Sequence, residues 1–378
     1  RPDTDRVLNT ALHVLLTALQ AGKSAEPGAL LIVAAKPVIN WLNTNHKLLS
    51  DLSDKTARQV TLKEGTVTEA YIQPATGAFA ETSANLPDAV RAVCAKPDEA
   101  SVEGFRTAFS DTVRDFSHVH FLRFGPLIDN DRLSRLAFLP DPRGITQRQI
   151  RKLLASEEKD ALSAATLKDK SVAVQGLTAL ELLAFDKDSA VRLGQADDGK
   201  DFSCGYALAI SENLAAMARE IAAGWQDPDG YSEVLLTAEG GNERFHTSKE
   251  ALESVFNALV TGLIIARDQD VLPALGTGKD KARATRFPFS RSGNSVVYLN
   301  GELLGIQKAI ASLDLNDLTP DDFTWIYDTL DFEFGNAVTL LETLDPPLRQ
   351  SFEEGDAYDK MVVLAITLKS LRDTIALE

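Results

Sequence analysis

A largely apolar segment carries three polar side chains whose types and spacing could support chemistry. In SVAVQGLTALELLAFD, residues 171–186, the polar residues Gln175, Thr178 and Glu181 follow one another at intervals of three, which places them along one side of a helix. Apolar residues cover too much of the remaining surface for one narrow face, so we expect the helix and the Glu181 carboxylate to be buried. Gly176 interrupts the segment, which indicates a close approach by another backbone or a ligand. The alternative is that Gln175 and Glu181 reach solvent along one edge.

Polar residues beside glycine and proline form a second set of candidates for a binding site. They are Arg123 before Gly125-Pro126, Asp141 and Arg143 in PDPRG, and Arg291, Ser292 and Ser295 in FSRSGNS. Helix starts offer unpaired N–H groups, and arginine offers a planar pair of donors. These turns between helices could therefore bind a carboxylate or another anion. The alternative is that the groups only fix the corners, with Arg143 or Arg291 paired to Asp141 or Glu181.

The histidines and serines match none of the common catalytic motifs. The sequence contains neither the His-Glu-x-x-His motif of zinc proteases nor the Gly-x-Ser-x-Gly motif of serine hydrolases. His118 and His120 are close in sequence, but residues two apart on a helix point to different faces. We therefore assign no catalytic residue. Glu181 is the one candidate metal ligand, and a lone carboxylate holds a transition metal weakly.

Composition excludes some classes of partner. The chain has 378 residues and a net charge of −16, spread along the sequence, which disfavours binding to nucleic acid or to an anionic membrane surface. No apolar run approaches the roughly 20 residues that a transmembrane helix needs.

Two cysteines, Cys94 and Cys204, are too few for a four-thiolate zinc site. In an oxidising compartment they would form one disulfide, which ties the first helical bundle to the second. The alternative is a pair of buried free thiols in a cytosolic protein.

The rest of the chain is dominated by apolar residues at helical spacing, without a convincing series of alternating strands. We predict an all-α fold of two antiparallel helical bundles, with an additional N-terminal helical segment. Polar stretches at 50–66 and 155–170 suggest the boundaries: an N-terminal segment at 1–63, a first bundle at 64–166 and a second bundle at 167–378. Helix starts are predicted at the capping pairs Thr146/Gln149 and Thr247/Glu250, and at Thr319-Pro320.

Several segments together resemble the imelysin family, helical proteins of the bacterial cell envelope. The run Gly176-Leu177-Thr178-Ala179-Leu180-Glu181 is similar to the family signature Gly-x-His-x-x-Glu, with Thr178 in place of the histidine. Further similar segments follow the family order, and these are VTEAYIQPATGAF (67–79), VHFLRFGPL (119–127), LPDPRGITQRQI (139–150), FSCGYALAISENLA (202–215), FPFSRSGNSVVYLNGELLGI (287–306) and FEFGNAVTLLETLDPPL (332–348). The resemblance covers about 67–378 and leaves the role of 1–63 open.

The resemblance implies a function connected with iron. It implies an exported protein of the periplasm or cell envelope, soluble or lipid-anchored, and because the chain begins at Arg1 we expect an export signal to have been removed. The first reading is a binding or accessory role in iron acquisition, at a site between the two bundles, with iron-acquisition proteins as partners. The site would take a small polar or anionic ligand, with iron or another divalent metal only weakly bound. A metallopeptidase-type hydrolase of the imelysin class and a structural scaffold with a degenerate site are the alternatives. The missing histidine argues against an enzyme.

Overall fold

The fold is built from helices throughout the described part of the chain. The computed structural model describes residues 66–376, apart from 197–198, 239–241, 243, 314–324, 345–346 and 353–354. These residues contain no β-strand, and the only extended pairing among them is one isolated bridge between Phe185 and Val191. The predicted all-α fold is therefore confirmed.

The helices differ widely in length, from single turns to more than seven turns. In chain order they are α1 (Gln73–Ala95), α2 (Glu99–Val119), α3 (Arg132–Leu136), α4 (Ile145–Ser156), α5 (Ala164–Leu167), α6 (Gly176–Ala184), α7 (Lys200–Gln226), α8 (Tyr231–Leu236), α9 (Ser248–Ile265), α10 (Leu272–Leu275), α11 (Ser295–Leu313), α12 (Trp325–Glu342), α13 (Leu348–Ser351) and α14 (Ala357–Ala376). Two π-helical segments extend this framework, Thr68–Ile72 before α1 and Ala266–Val271 between α9 and α10.

Local side-chain chemistry fixes several helix starts. The carboxylate of Asp98 accepts from the Ser101 N–H and begins α2. The hydroxyl of Thr247 accepts from the Glu250 N–H at the start of α9, which confirms the predicted cap.

The predicted cap at Thr146 is wrong. Helix α4 begins at Ile145, and Gly144 occupies the cap position, two residues before Thr146. The two Asp141 oxygens accept from the N–H groups of Ile145 and Thr146 at 2.8 Å each. A carboxylate is acceptor-only, so one aspartate satisfies two of the unpaired N–H groups that a threonine hydroxyl would have to share.

Long helices pack into two connected groups. Helix α1 packs against α2 and α7, and α11 packs against α2. Helices α9, α12 and α14 form the other group, which α11 joins through α12. Helix α11 thus belongs to both groups and carries apolar residues buried on more than one face. The division of the chain at residue 167 stays a prediction.

A disulfide links two of the packed helices. Cys94 lies near the end of α1 and Cys204 near the start of α7, with their Cα atoms 5.9 Å apart, and the two sulfur atoms are bonded. The predicted pairing is confirmed. It closes a loop across a sequence separation of 110 and so reduces the entropy of the unfolded chain.

Some predictions concern residues outside the described part. The N-terminal segment 1–63 and the cap at Thr319-Pro320 lie there. Within the described residues, none of the helices combines the length and apolar character that a membrane crossing requires.

Candidate functional site

Helix α6 buries the predicted carboxylate. Glu181 is 8% exposed, and both the N–H and the hydroxyl of Ser292 donate to its Oε1 at 2.8 Å. Burial raises the pKa of Glu181 above its usual value, although the bonds from Ser292 and the charge of Arg291 act in the opposite direction. Glu181 therefore joins α6 to the loop that precedes α11.

Arg291 and Ser295 lie on the same loop but have other partners. Arg291 donates from Nη1 to the Phe185 carbonyl at 3.4 Å, and no ion pair within 4 Å joins it to Glu181. The hydroxyl of Ser295 donates to the Pro288 carbonyl at 2.8 Å. The loop thus reaches Glu181 mainly through Ser292.

Gln175 and Gly176 bind the start of α6 to its neighbours. The prediction that one helix carries Gln175 together with Thr178 and Glu181 is wrong for Gln175, which has an extended backbone and precedes the helix. Its Oε1 accepts from Arg135 Nε at 3.2 Å and from Asn213 Nδ2 at 3.0 Å. Gly176 has φ +86°, and a Cβ atom there would lie 2.3 Å from the Arg135 carbonyl oxygen. Only glycine permits this approach, so another backbone is the neighbour that the sequence indicated. Arg135 and Asn213 are partners that sequence reasoning missed.

The remaining residues of the predicted set are dispersed. Thr178 is 8% exposed, and its hydroxyl accepts from the Phe138 N–H at 3.2 Å. Asp141 caps α4 and Arg143 is exposed. Arg123 lies at a different centre, which the sequence did not indicate.

That centre is a buried cluster of His120, Asp270 and Glu302. One potential ligand atom from each residue lies within 4.8 Å of the other two, and no other trio of this kind occurs in the described ranges. His120 follows the end of α2, Asp270 lies in the π-helical turn after α9, and Glu302 lies in α11. All three side chains are buried, with Glu302 at 0% exposure.

The polar atoms of this cluster converge without satisfying one another. Nδ1 of His120 lies 3.3 Å from the Ser117 carbonyl, so the hydrogen of a neutral ring belongs on Nδ1 and the Nε2 lone pair faces the cluster. Nε2 is 3.1 Å from Glu302 Oε1, but the geometry does not make a hydrogen bond. Both Glu302 oxygens and Oδ2 of Asp270 are also buried without a hydrogen-bond partner. Converging lone pairs of this kind are stabilised by a cation or a shared proton.

Two further residues complete the surroundings. Arg123 and Tyr298 line a cavity of about 70 Å³ together with His120 and Asp270. Burial and the nearby Glu302 raise the pKa of Asp270 well above its usual value, and the positive charge of Arg123 opposes this shift. Burial likewise raises the pKa of the Tyr298 phenol, with a further contribution from the two carboxylates.

The helix packing explains how the cluster is assembled. A Cβ atom at Gly301 would lie 2.0 Å from Ser117 Oγ, so only glycine lets α11 come this close to α2. This contact places Glu302 beside His120. The π-helical turn inserts an extra residue into the helical repeat after α9, an irregularity that often marks functional sites, and it carries Asp270.

Comparison with known proteins identifies the family. The family model described as Imelysin, a peptidase family by name, matches residues 72–376. The chain belongs to the imelysin family. None of the curated proteins compared with this imelysin is similar in sequence.

Solved structures share the fold of this imelysin. An imelysin-like protein from Psychrobacter arcticum 273-4 has a TM-score of 0.69 and 22% identity, and the match covers 86% of this chain and 94% of the other. A protein assigned as an iron-regulated protein A precursor, from Parabacteroides distasonis ATCC 8503, has a TM-score of 0.66 and 14% identity, with coverages of 84% and 94%.

The two centres of this imelysin differ in how well they suit a metal ion. At the position that resembles the family signature, Thr178 accepts from a backbone N–H and one Glu181 oxygen accepts twice from Ser292. No second strong ligand converges there among the described residues, so this position does not fit a metal. The cluster of His120, Asp270 and Glu302 does fit, because it offers three ligands with unpaired acceptor atoms.

The two centres are also neighbours. Ala137 and Leu139 line the cavity beside His120, and the intervening Phe138 donates its N–H to Thr178. The segment 137–139 therefore separates the Thr178 side of α6 from the metal-ligand cluster.

Proposed function

We propose that this imelysin is an exported cell-envelope protein with a binding role in iron acquisition, and that its cargo is an iron ion held by His120, Asp270 and Glu302. The observation that carries the proposal is the convergence of three buried ligand groups whose acceptor atoms lack partners. The family supports the connection with the cell envelope. The name of the Parabacteroides protein supports both export and regulation by iron, through the words precursor and iron-regulated.

The donor set supports a transition metal over calcium or magnesium. Imidazole is a ligand for iron, zinc and copper, and carboxylates add hard oxygen donors that ferrous and ferric iron accept. The two carboxylates supply negative charge for a cation, and the neutral imidazole supplies a third ligand. The site therefore needs no thiolate. Ser117 holds the His120 ring from the far side, a second-layer contact that orients metal-binding histidines in many proteins.

The cavity favours binding over hydrolysis. The space of about 70 Å³ beside His120 and Asp270 admits a metal ion and a few further atoms, and Arg123 separates it from the wider groove of about 430 Å³ in which a peptide would have to lie. Hydrolysis by a metallopeptidase remains the second candidate, because the same cluster would hold its metal. If the protein binds no metal at all, the third candidate, a structural scaffold with a degenerate site, is favoured.

Metal titration of the full chain tests the proposal. After treatment with a chelator, the protein is titrated with Fe²⁺ under anaerobic conditions and with Mn²⁺ in air, by calorimetry and by thermal unfolding. Wild-type protein is expected to bind about one equivalent, and saturation at about 100 times Kd should stabilise the fold by about 2.7 kcal/mol.

Two matched glutamine variants locate the site. Glu302→Gln should lose the metal-dependent stabilisation, whereas Glu181→Gln should retain it. The two variants are matched because each replaces one buried carboxylate with an amide. Absence of binding by the wild-type protein, or undiminished binding by Glu302→Gln, would overturn the proposal. Cleavage of unfolded casein that a chelator abolishes would favour the hydrolase instead.

A further inference from the structure

We propose that the cavity beside Arg123 is an anion subsite, so that the metal ion binds together with a small carboxylate-type anion such as carbonate. The inference rests on the proposed metal-binding function and names the form in which the metal is bound. It concerns the side of the cluster that His120, Asp270 and Glu302 leave open.

The guanidinium of Arg123 is a cationic group that could bind an anion. Its side chain makes no hydrogen bond or ion pair with any described residue, and its Nε is buried without a partner. It lines the same cavity as His120 and Asp270. A guanidinium presents its N–H groups in a plane, so it can grip the two oxygens of a carboxylate or carbonate at once.

The net charge of the metal-bound cluster also favours an anion. With a neutral His120 ring, the Asp270 and Glu302 carboxylates contribute two negative charges and Arg123 contributes one positive charge. A divalent metal would leave the buried centre with one net positive charge, and a ferric ion would leave two. Because an uncompensated buried charge is costly, an anion between the metal and Arg123 balances the centre.

The size of the cavity limits the anion. One water molecule needs about 10–15 Å³ on this scale, so about 70 Å³ holds an ion and an anion of only a few atoms. Carbonate and acetate fit this limit, whereas a multidentate organic chelator does not.

Arg123 also marks a route from the surface. It lines a second, wider space of about 430 Å³, an open groove whose other residues include the exposed Arg244, Glu250 and Glu253. Arg123 therefore stands between the groove and the metal-ligand cluster. An anion that enters with the metal would meet this guanidinium first.

The experiment measures how metal affinity depends on the anion. Chelator-treated protein is titrated with Mn²⁺ in bicarbonate-free buffer, and then with bicarbonate, acetate or citrate added, with free metal calculated in each buffer. We expect bicarbonate or acetate to tighten Mn²⁺ binding by at least about tenfold, equivalent to about 1.4 kcal/mol. Citrate should give no such gain. A gain with citrate that needs Arg123 would instead identify the anion as part of an organic chelator that extends into the groove.

The variants Arg123→Met and Arg123→Lys distinguish two roles of Arg123, binding of an external anion and neutralisation of the nearby carboxylates. Arg123→Met should show no gain in Mn²⁺ affinity when anion is added, because the group that binds the anion is removed. Arg123→Lys should show a reduced gain, because it keeps the charge but loses the planar pair of donors.

The two proposals fail in different ways. If wild-type protein binds no metal in any buffer, the metal-binding function itself is overturned. If it binds Mn²⁺ equally well with and without every anion, only the anion subsite is overturned, and this comparison needs no variant. An undiminished anion effect in folded Arg123→Met would also overturn it.

Discussion

Nε2 of His120 lies 3.1 Å from Oε1 of Glu302, yet the two atoms do not form a hydrogen bond. In a neutral ring with its hydrogen on Nδ1, both atoms carry lone pairs. Without a proton between them, two acceptors at this distance repel each other in the metal-free fold, and a cation between them would make the same arrangement favourable. Under the proposed function, the cluster thus gives up stability of the metal-free protein in return for metal affinity.

Glu302→Gln should therefore stabilise the metal-free protein. An amide supplies N–H donors for the unpaired acceptors of His120 and Asp270, and relief of such unsatisfied buried groups is worth about 1–3 kcal/mol. Urea unfolding in the presence of a chelator measures the difference. A lower free energy of unfolding for the variant would show that the wild-type cluster is already satisfied without a metal ion.

Gly301→Ala should both destabilise the fold and weaken metal binding. The new Cβ would lie 2.0 Å from Ser117 Oγ, so α11 has to move away from α2 and takes Glu302 with it. We expect a loss of about 1–3 kcal/mol in the free energy of unfolding, typical of overpacking in a close contact.

Gly335→Ala is the matched control, since nothing lies within 4 Å of a Cβ atom at that position in α12. It should gain about 0.5–1 kcal/mol from helix propensity. Combining Gly301→Ala with Ser117→Ala should restore most of the lost stability. If Gly301→Ala behaves like Gly335→Ala, the close approach of α2 and α11 does not matter for the cluster.

Glu181 should make folding stability depend on pH. Its pKa is raised by burial above the usual 4.5, so its contribution to stability is fully present below about pH 4.5. The contribution is lost as the pH rises through the raised pKa, because the folded state then has to bury a charge. Glu181→Gln removes this titration and keeps an oxygen that can accept from Ser292.

Urea unfolding of both proteins between about pH 4 and pH 8 measures the effect. The stability of Glu181→Gln relative to wild type should increase as the pH rises over this interval. A constant difference would mean that the Ser292 bonds and the charge of Arg291 fully offset the burial of Glu181.

The disulfide should contribute a large share of the stability. Loop closure across the separation of 110 residues predicts a loss of about 4–5 kcal/mol when Cys94 and Cys204 are both replaced by serine. The midpoint of urea unfolding measures the loss. Reductant should lower the stability of the wild-type protein and leave that of the double variant unchanged. A loss below about 1 kcal/mol would show that the reduced, unfolded chain is already compact.

Sequence patterns were sufficient for the helices and for the burial of Glu181. Helical spacing of apolar residues is local information, and the almost wholly apolar segment around Glu181 favours its burial over the alternative of an exposed edge. The partner of Glu181 was harder to predict. Charge suggested an arginine, whereas the structure supplies two neutral donors from Ser292, because the loop brings its backbone rather than the Arg291 side chain into contact.

The metal-ligand cluster could not be found from spacing. His120, Asp270 and Glu302 are far apart in sequence, and they meet only through the packing of α11 on α2 and the π-helical turn after α9. The available signals were indirect. Glu302 is an acid between two glycines in the segment GELLG, and Asp270 is an acid next to an apolar run. Neither signal identifies its partners.

Restoring the histidine of the family signature is the last test. Thr178 and Glu181 are three residues apart on α6, so an imidazole at position 178 would lie on the same side of the helix as the carboxylate. Thr178→His should therefore add a second, weaker metal site and raise the Zn²⁺ stoichiometry above that of the wild type. The larger ring has to fit against the segment 137–139, so we also expect a loss of about 1–3 kcal/mol in stability. The variants Thr178→His/Glu181→Gln and Thr178→Gln serve as controls, and both should bind the wild-type number of equivalents. If Thr178→His binds no additional metal, the surroundings of Glu181 have become structural, and the metal-binding capacity of this imelysin resides in His120, Asp270 and Glu302.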